Sequence, residues 1–342
     1  MKLPWRLILG VVLLTVGLAC GISSKAFEEL AWQGIQDSVN KTFQVRPGGR
    51  LVVDADLGSI QVRTGDPSRV DVEVIRKVYA GDRADTESIL RDLDLQITQS
   101  GNDVTVRAKL PYGYRGWRNF GRNRLQLSFN ITVPHAYNVD LNTSGGSIGV
   151  DDLQGEVRSR TSGGSLRFGR IQGPVYGRTS GGSIHLEGSN GIADVETSGG
   201  GIRIGNVEGD VRAHTSGGSI HIEHAKGTVS AETSGGGIQV EEVMGDIQAG
   251  TSGGSISATI TQQPRGSCRL STSGGSVTAN LADNIAVNLD AEASGGGVHV
   301  DFPVTVQGTI EKHSLRGPIN GGGPKLVLRT SGGGVYVRRT GR

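Results

Sequence analysis

The sequence predicts an all-β chain wound as a parallel β-solenoid, on three observations. A Thr-Ser-Gly-Gly phrase recurs at Thr143, Thr161, Thr179, Thr197, Thr215, Thr233 and Thr251, 18 residues apart each time. Apolar residues flank it at fixed offsets in steps of two, which is strand periodicity. Glycine reaches 56 of 342 residues with no Gly-X-Y period, against an ordinary share of about 7%. A recurring glycine at fixed phase marks corners rather than a flexible tether or a collagen helix.

The N-terminus reads as a targeting segment. Lys2 and Arg6 precede an almost wholly apolar run from Leu7 to Ala19, the layout of a secretory signal. Cys20 follows Gly17-Leu18-Ala19 and resembles a bacterial lipobox, with Gly17 standing where an aliphatic residue is usual. Three anchors follow from this: a lipid on Cys20, an uncleaved helix, or a cleaved signal. Each places the protein outside the cytoplasm, exported to the cell envelope, periplasmic or extracellular, and the first two tether it to the membrane as a lipoprotein or through an N-terminal helix. Residues 1–20 are therefore read as signal or anchor, and residues 21–42 as a spacer, partly helical, that lifts the solenoid off the membrane. The solenoid domain takes residues 43–342.

The first rung is expected at Leu51-Val53-Ala55 and Ile60-Val62, turning at Gly58-Ser59. Residues 63–138 interrupt the stack with alternating strands of their own, at Val70-Val72-Val74, Val104-Val106-Ala108 and Leu125-Leu127-Phe129-Ile131-Val133. A short amphipathic helix between Asp85 and Leu95 would carry Ile89, Leu90 and Leu93 on one side. This inserted β-rich region reads as an N-terminal cap on the open end of the solenoid.

Regular rungs fill residues 139–342. Four and two residues before each threonine stand small or apolar residues, such as Val211 and Ala213; five and seven after it stand Ile220 and Ile222. The step of five breaks parity, so the chain turns at the phrase, and paired glycines would permit positive φ there. A glycine twelve residues after the threonine (Gly155, Gly173, Gly191, Gly209) marks a second corner. No rung buries its inward residues alone; stacking at about 4.8 Å covers each with its neighbour. Corner threonines and serines would form columns that hydrogen-bond along the stack. The spacing loosens to 21 at Thr272 and Ala293, and a last copy begins at Thr330. Residues Phe302 to Pro324 interrupt these last rungs and are expected to close the far end.

The chain resembles the bacterial putative-adhesin family of β-strand repeat proteins over Phe43 to Arg342. The phrases that carry the resemblance are Gly49-Arg50-Leu51-Val52-Val53, Gly58-Ser59-Ile60-Gln61-Val62, Ile131-Thr132-Val133-Pro134 and the Thr-Ser-Gly-Gly units. It implies an exported, envelope-associated β-helical protein and supplies no catalytic residues. Relatives also resemble accessory proteins of envelope-stress signalling.

The chemistry offers few enzyme signatures. Ser-Gly-Gly lacks the Gly-x-Ser-x-Gly spacing of a nucleophile elbow. No Gly-Lys-Ser/Thr follows the glycines, and the aspartate of the calcium-binding nonapeptide is missing. His185 and His221 fall two rungs apart, about 10 Å, too far to share a metal. No cofactor or metal is expected. Charges before the corner alternate from rung to rung (Arg178, then Asp194 and Glu196, then Arg212 and His214, then Glu232), a pattern that favours register. Cys268 aligns with Val211 and Val229 as a core residue. A net charge of +2 and the export signal argue against nucleic acid.

Aromatics form only 4% of the chain, yet Tyr112, Tyr114, Trp117 and Phe120 interleave with Arg115, Arg118, Arg122 and Arg124. Such a loop could stack on envelope glycans, grip an anionic lipid surface or dock a membrane protein; the alternative is a hairpin tip packed on the cap. The reading is of a non-catalytic, adhesin-like envelope protein presenting a repetitive surface. Its alternatives are an accessory protein of envelope-stress signalling and, more distantly, a polysaccharide-active enzyme.

Overall fold

The structure, a computed structural model, describes residues 35–79, 83–110, 125–306 and 312–340. Two long sheets, of 15 and 14 strands among the described residues, face each other across one apolar core. Each regular rung contributes one strand to each sheet. The rung around Thr215, for example, runs Val211–Thr215 in the second sheet, turns, and continues as Ile220–Ala225 in the first. Its strands pair in parallel with those 18 residues away, Val211 level with Val229 and Ile220 level with Ile238. This is the solenoid that the 18-residue period predicts.

The inward residues are those the period selects. In this rung Val211, Ala213, Thr215, Ile220, Ile222 and Ala225 are all buried. The two sheets divide the volume: the first supplies mostly Ile, Leu and Val, and the second places Ala213, Ala231 and Ala249 opposite them. One exception keeps the balance. Phe168 is fully buried, and Gly177 of the following rung makes room for it, since a Cβ there would stand 3.1 Å from the ring. Each fully buried Ile or Leu contributes about 1.5–3 kcal/mol of transfer free energy. The stack, rather than any local propensity, is therefore what holds a rung.

The corner works differently from the expected positive-φ turn. None of the paired corner glycines has φ in the left-handed region; the backbone instead comes too close to the rung below. A Cβ on Gly200 would lie 2.2 Å from the carbonyl oxygen of Gly182, and the same clash recurs at Gly164, Gly182, Gly218 and Gly236. The threonine column hydrogen-bonds along the stack, as expected, with backbone carbonyls as the acceptors. Each threonine is buried, and its Oγ1 donates to a glycine carbonyl one rung below: Thr197 to Gly182 at 2.7 Å, Thr215 to Gly200 at 2.8 Å. A glycine carbonyl that no backbone N–H reaches thereby gains a partner. Serines do act along the stack, but by accepting from backbone: Ser147 Oγ takes the N–H of Ser165 at 3.1 Å.

At the N-terminal end, Arg50–Ala55 and Ser59–Gly65 form a rung beneath Asn138–Thr143 and Ile148–Val150. Below it, Asp103–Lys109 and Leu125–Pro134 run parallel to that rung, one in each sheet. Asp103–Lys109 and Leu125–Pro134 lie in different sheets, so they are not the two arms of one hairpin. Beyond them the pairing turns antiparallel: Arg69–Val78 and then Ile35–Gln44 close the first sheet, and Asp94–Ser100 closes the second. One helix, Arg83–Asp92, links these closing strands and leads into the buried Leu93. Residues 35–42 correct the expected spacer, for they belong to the edge strand, with Val39 and Phe43 laid against the core.

The far end departs from chain order. Lys325–Thr330 lies between Cys268–Thr272 and Val287–Ala293, and Val335–Arg339 lies between Val277–Leu281 and Val298–Val300. The last rung of the sequence is thus intercalated beneath the one that precedes it. The corner chemistry explains the order. Thr330 donates to Gly275 of the rung below, as every inner rung requires, whereas the outermost rung carries Ala293, whose side chain donates nothing. Ser314–Ile319 then pairs antiparallel with Val287–Ala293 and covers the second sheet's edge, as the interruption at Phe302 to Pro324 predicts.

Candidate functional site

Several outward charged side chains pair between neighbouring rungs. Arg178 reaches Asp194 at 2.9 Å and Glu196 at 3.3 Å on the next rung. Lys226 reaches back to Glu208 at 2.5 Å, His221 pairs with Glu241 at 3.2 Å, and His224 with Glu242 at 3.4 Å. His185 and His221 are separated by Arg203 in the register, as the period requires. No cluster of three or more metal-ligating side chains occurs among the described residues. Such exposed pairs each contribute under about 1 kcal/mol, so their effect is alignment more than stability.

Lys109, at the cap, bonds Asp54 at 2.8 Å and Asp56 at 3.0 Å. Burial raises the Asp54 carboxyl, but hydrogen bonds from Lys109 and Asn142 outweigh it and hold the group below its ordinary value. Cys268 is a core residue, 1% exposed, and burial pushes its thiol up to about 11.

The outward face changes character at the intercalated strand. Lys325, Val327 and Arg329 project from one face of Lys325–Thr330, with Val327 level with Arg269 on one side and Asp290 on the other. A groove of about 370 Å³ opens over Val327, lined also by Gln248 and Ser267. Asp290 is already claimed: Arg329 reaches it at 2.7 Å and Arg316 at 2.9 Å. Burial raises the Asp290 carboxyl, and the two arginines more than reverse this, so it stays ionised. Periodicity alone does not reveal this groove, because the rungs that form it are not adjacent in sequence.

The aromatic–arginine loop residues Tyr112, Tyr114, Arg115, Trp117, Arg118, Phe120, Arg122 and Arg124, and Cys20 with the whole N-terminal segment, lie outside the described residues. Among the described residues no helix is long and apolar enough to cross a membrane.

Fold and surface together define a two-sheet parallel β-solenoid with an antiparallel closure at each end. The chain belongs to the Toastrack DUF4097 family, whose model matches residues 49–338. Among solved structures it is similar to a putative lipid binding protein from Parabacteroides distasonis ATCC 8503, at 11% identity over 89% of this chain and 98% of that one, with a TM-score of 0.39. It is also similar to a putative adhesin from Bacteroides fragilis NCTC 9343, at 12% identity over 88% and 97% with a TM-score of 0.31. A putative cell adhesion protein from Clostridium sporogenes ATCC 15579 matches at 11% identity over 89% and 100%, with a TM-score of 0.20. No curated protein matches the chain.

Proposed function

We propose that the protein is an exported, non-catalytic, adhesin-like component of the cell envelope, tethered through its N-terminus and presenting the outer faces of its solenoid for binding. The observation that supports this most is how the polar side chains are used. Corner threonines bind backbone of the rung below, and outward carboxylates pair with cations on adjacent rungs. An acid, a base and a nucleophile converging on one pocket would be needed for hydrolysis; here these groups repeat along a rigid surface instead. Rigid sheets are well suited to holding a binding surface at low ordering cost. The basic start, apolar run and Cys20 support export and tethering.

Two experiments test the reading. Full-length protein should fractionate with membranes, and Cys20→Ser should release it if a lipid is the sole anchor; unchanged retention would rule out lipidation in that role. The purified chain should bind an isolated envelope fraction, whether cell-wall glycan or anionic lipid vesicles. Replacing Tyr112, Trp117 and the arginines at 115, 118, 122 and 124 by alanine should weaken that binding. Absence of binding to every fraction would overturn the adhesin-like assignment.

A further inference from the structure

The intercalated strand creates a charge imbalance that sequential stacking would not. Cys268 and Leu289 are both level with Leu326, so without the inserted strand Arg269 would stand directly beside Asp290. Opposite charges so placed form a cross-strand pair. The inserted strand instead puts Val327 between them and moves them two strand spacings apart, close to 10 Å. Asp290 gains Arg329 as a partner, beside Arg316 of the closing strand, and Arg269 forms no ion pair among the described residues. Lys325, exposed and diagonal to Arg269 across the groove, has no counter-ion among the described residues either.

We propose that this groove is a binding site for an acidic saccharide, a pyranose bearing a carboxylate. The inference rests on the adhesin-like reading and names the ligand class of one surface. Arg269 and Lys325 flank the groove as diagonal neighbours on adjacent strands, a spacing of about 7–8 Å, which a single carboxylate can bridge with long side chains. Val327 offers an apolar floor to a ring face, and Gln248 and Ser267 supply hydrogen-bonding groups for ring hydroxyls. The volume of about 370 Å³ suits one or two sugar rings. Asp290 does not oppose the ligand, because two arginines neutralise it.

Isothermal titration of the full chain with a short galacturonic acid oligomer, the matching neutral galactose oligomer and inorganic phosphate tests the site. The acidic oligomer should bind and the neutral one should bind at least about tenfold more weakly, the size of one lost charge-assisted contact. Arg269→Gln and Lys325→Gln should each weaken acidic-oligomer binding about tenfold, while Lys77→Gln, on the opposite sheet, should leave it unchanged. Val327→Asp provides a second variant that fills the groove with a counter-ion and should abolish binding in a folded chain. Equal binding of phosphate and the acidic oligomer would reduce the site to a general anion patch and overturn the saccharide assignment. Binding to an envelope fraction that survives Arg269→Gln and Lys325→Gln, with no oligomer binding, would overturn the groove and leave the adhesin-like reading intact. Absence of both envelope binding and oligomer binding in the unaltered chain would overturn both.

Discussion

Replacing Gly200 by alanine tests the corner directly. The added Cβ would sit 2.2 Å from the Gly182 oxygen and 2.5 Å from its carbon. Both are backbone atoms, so no side chain can swing aside. Restoring an ordinary contact of about 3.5 Å needs the two rungs to part locally by ~1 Å. The Thr197 hydroxyl, which donates to that same Gly182 oxygen at 2.7 Å, would then be drawn out of hydrogen-bonding range. Overpacking of this kind costs about 1–3 kcal/mol. Leaving the buried carbonyl without its partner adds about 1–3 kcal/mol. The expected loss is therefore about 2–6 kcal/mol, a large share of a typical stability of about 5–15 kcal/mol. Gly199→Ala is the internal control. Its Cβ would meet the nearest carbonyl oxygen at 3.2 Å, tight but yielding, and the lower entropy of the unfolded chain offsets part of the cost. That variant should change stability by no more than about 1 kcal/mol. Urea unfolding followed by circular dichroism measures both, and hydrogen exchange should localise the Gly200→Ala loss to the rungs at Thr179 and Thr197. Equal losses for the two variants would refute the close-approach argument and return the corner to an ordinary turn.

Three further outcomes follow from the same structure. Ala293→Thr should stabilise the chain by about 0.5–1.5 kcal/mol in urea unfolding, by offering the Gly333 carbonyl the bond that Thr330 gives Gly275, and Thr330→Ala should destabilise it by about 1–3 kcal/mol; a neutral Ala293→Thr would contradict the assignment. Asp54, Asp152, Glu156 and Asp290 are all held below their ordinary values, Asp152 first by the backbone N–H of Arg170 and Glu156 first by the Arg158 side chain. The unfolded chain therefore takes up protons first as pH falls, so the urea midpoint should hold between about pH 5 and 7 and drop below about pH 4, with Asp290→Asn flattening that drop; an unchanged slope in the variant would count against it. The Cys268 thiol, raised to about 11 by burial, should resist iodoacetamide at neutral pH and react only as the chain unfolds, read by mass spectrometry of its peptide; rapid native labelling would show that the core is open there.

How much of this was legible in the sequence depends on which interactions repeat. Two-strand rungs, inward positions and Cys268 all follow from residues that recur at one phase, and the period exposes them because every rung meets the same neighbours. The reason for the corner glycines did not follow. A residue that permits positive φ and one that permits close approach look alike as letters, and only the 2.2 Å separation from the rung below tells them apart. The edge strand at residues 35–42 was missed because a strand paired on one side needs few apolar residues, and Val39 and Phe43 were too sparse a signal. Stacking order is the deepest case. Period alone places the rung of Ala293 directly on that of Thr272, since both spacings are 21 residues.

Yet one letter already marked the true order. In this architecture a corner threonine is useful only where a rung lies below it to receive its hydrogen bond, and every inner corner from Thr143 to Thr272 has one. Ala293 breaks that series while Thr330, later in the chain, resumes it. If the rungs stacked in chain order, Gly275 would face an alanine and its carbonyl would go unpaired in the interior of the stack. With the last rung intercalated, Thr330 reaches Gly275 and the alanine falls on the outermost rung. The same step parts Arg269 from Asp290 and opens the groove over Val327. In a chain built from repeats, the substitution that breaks the repeat thus identifies where the order of stacking changes.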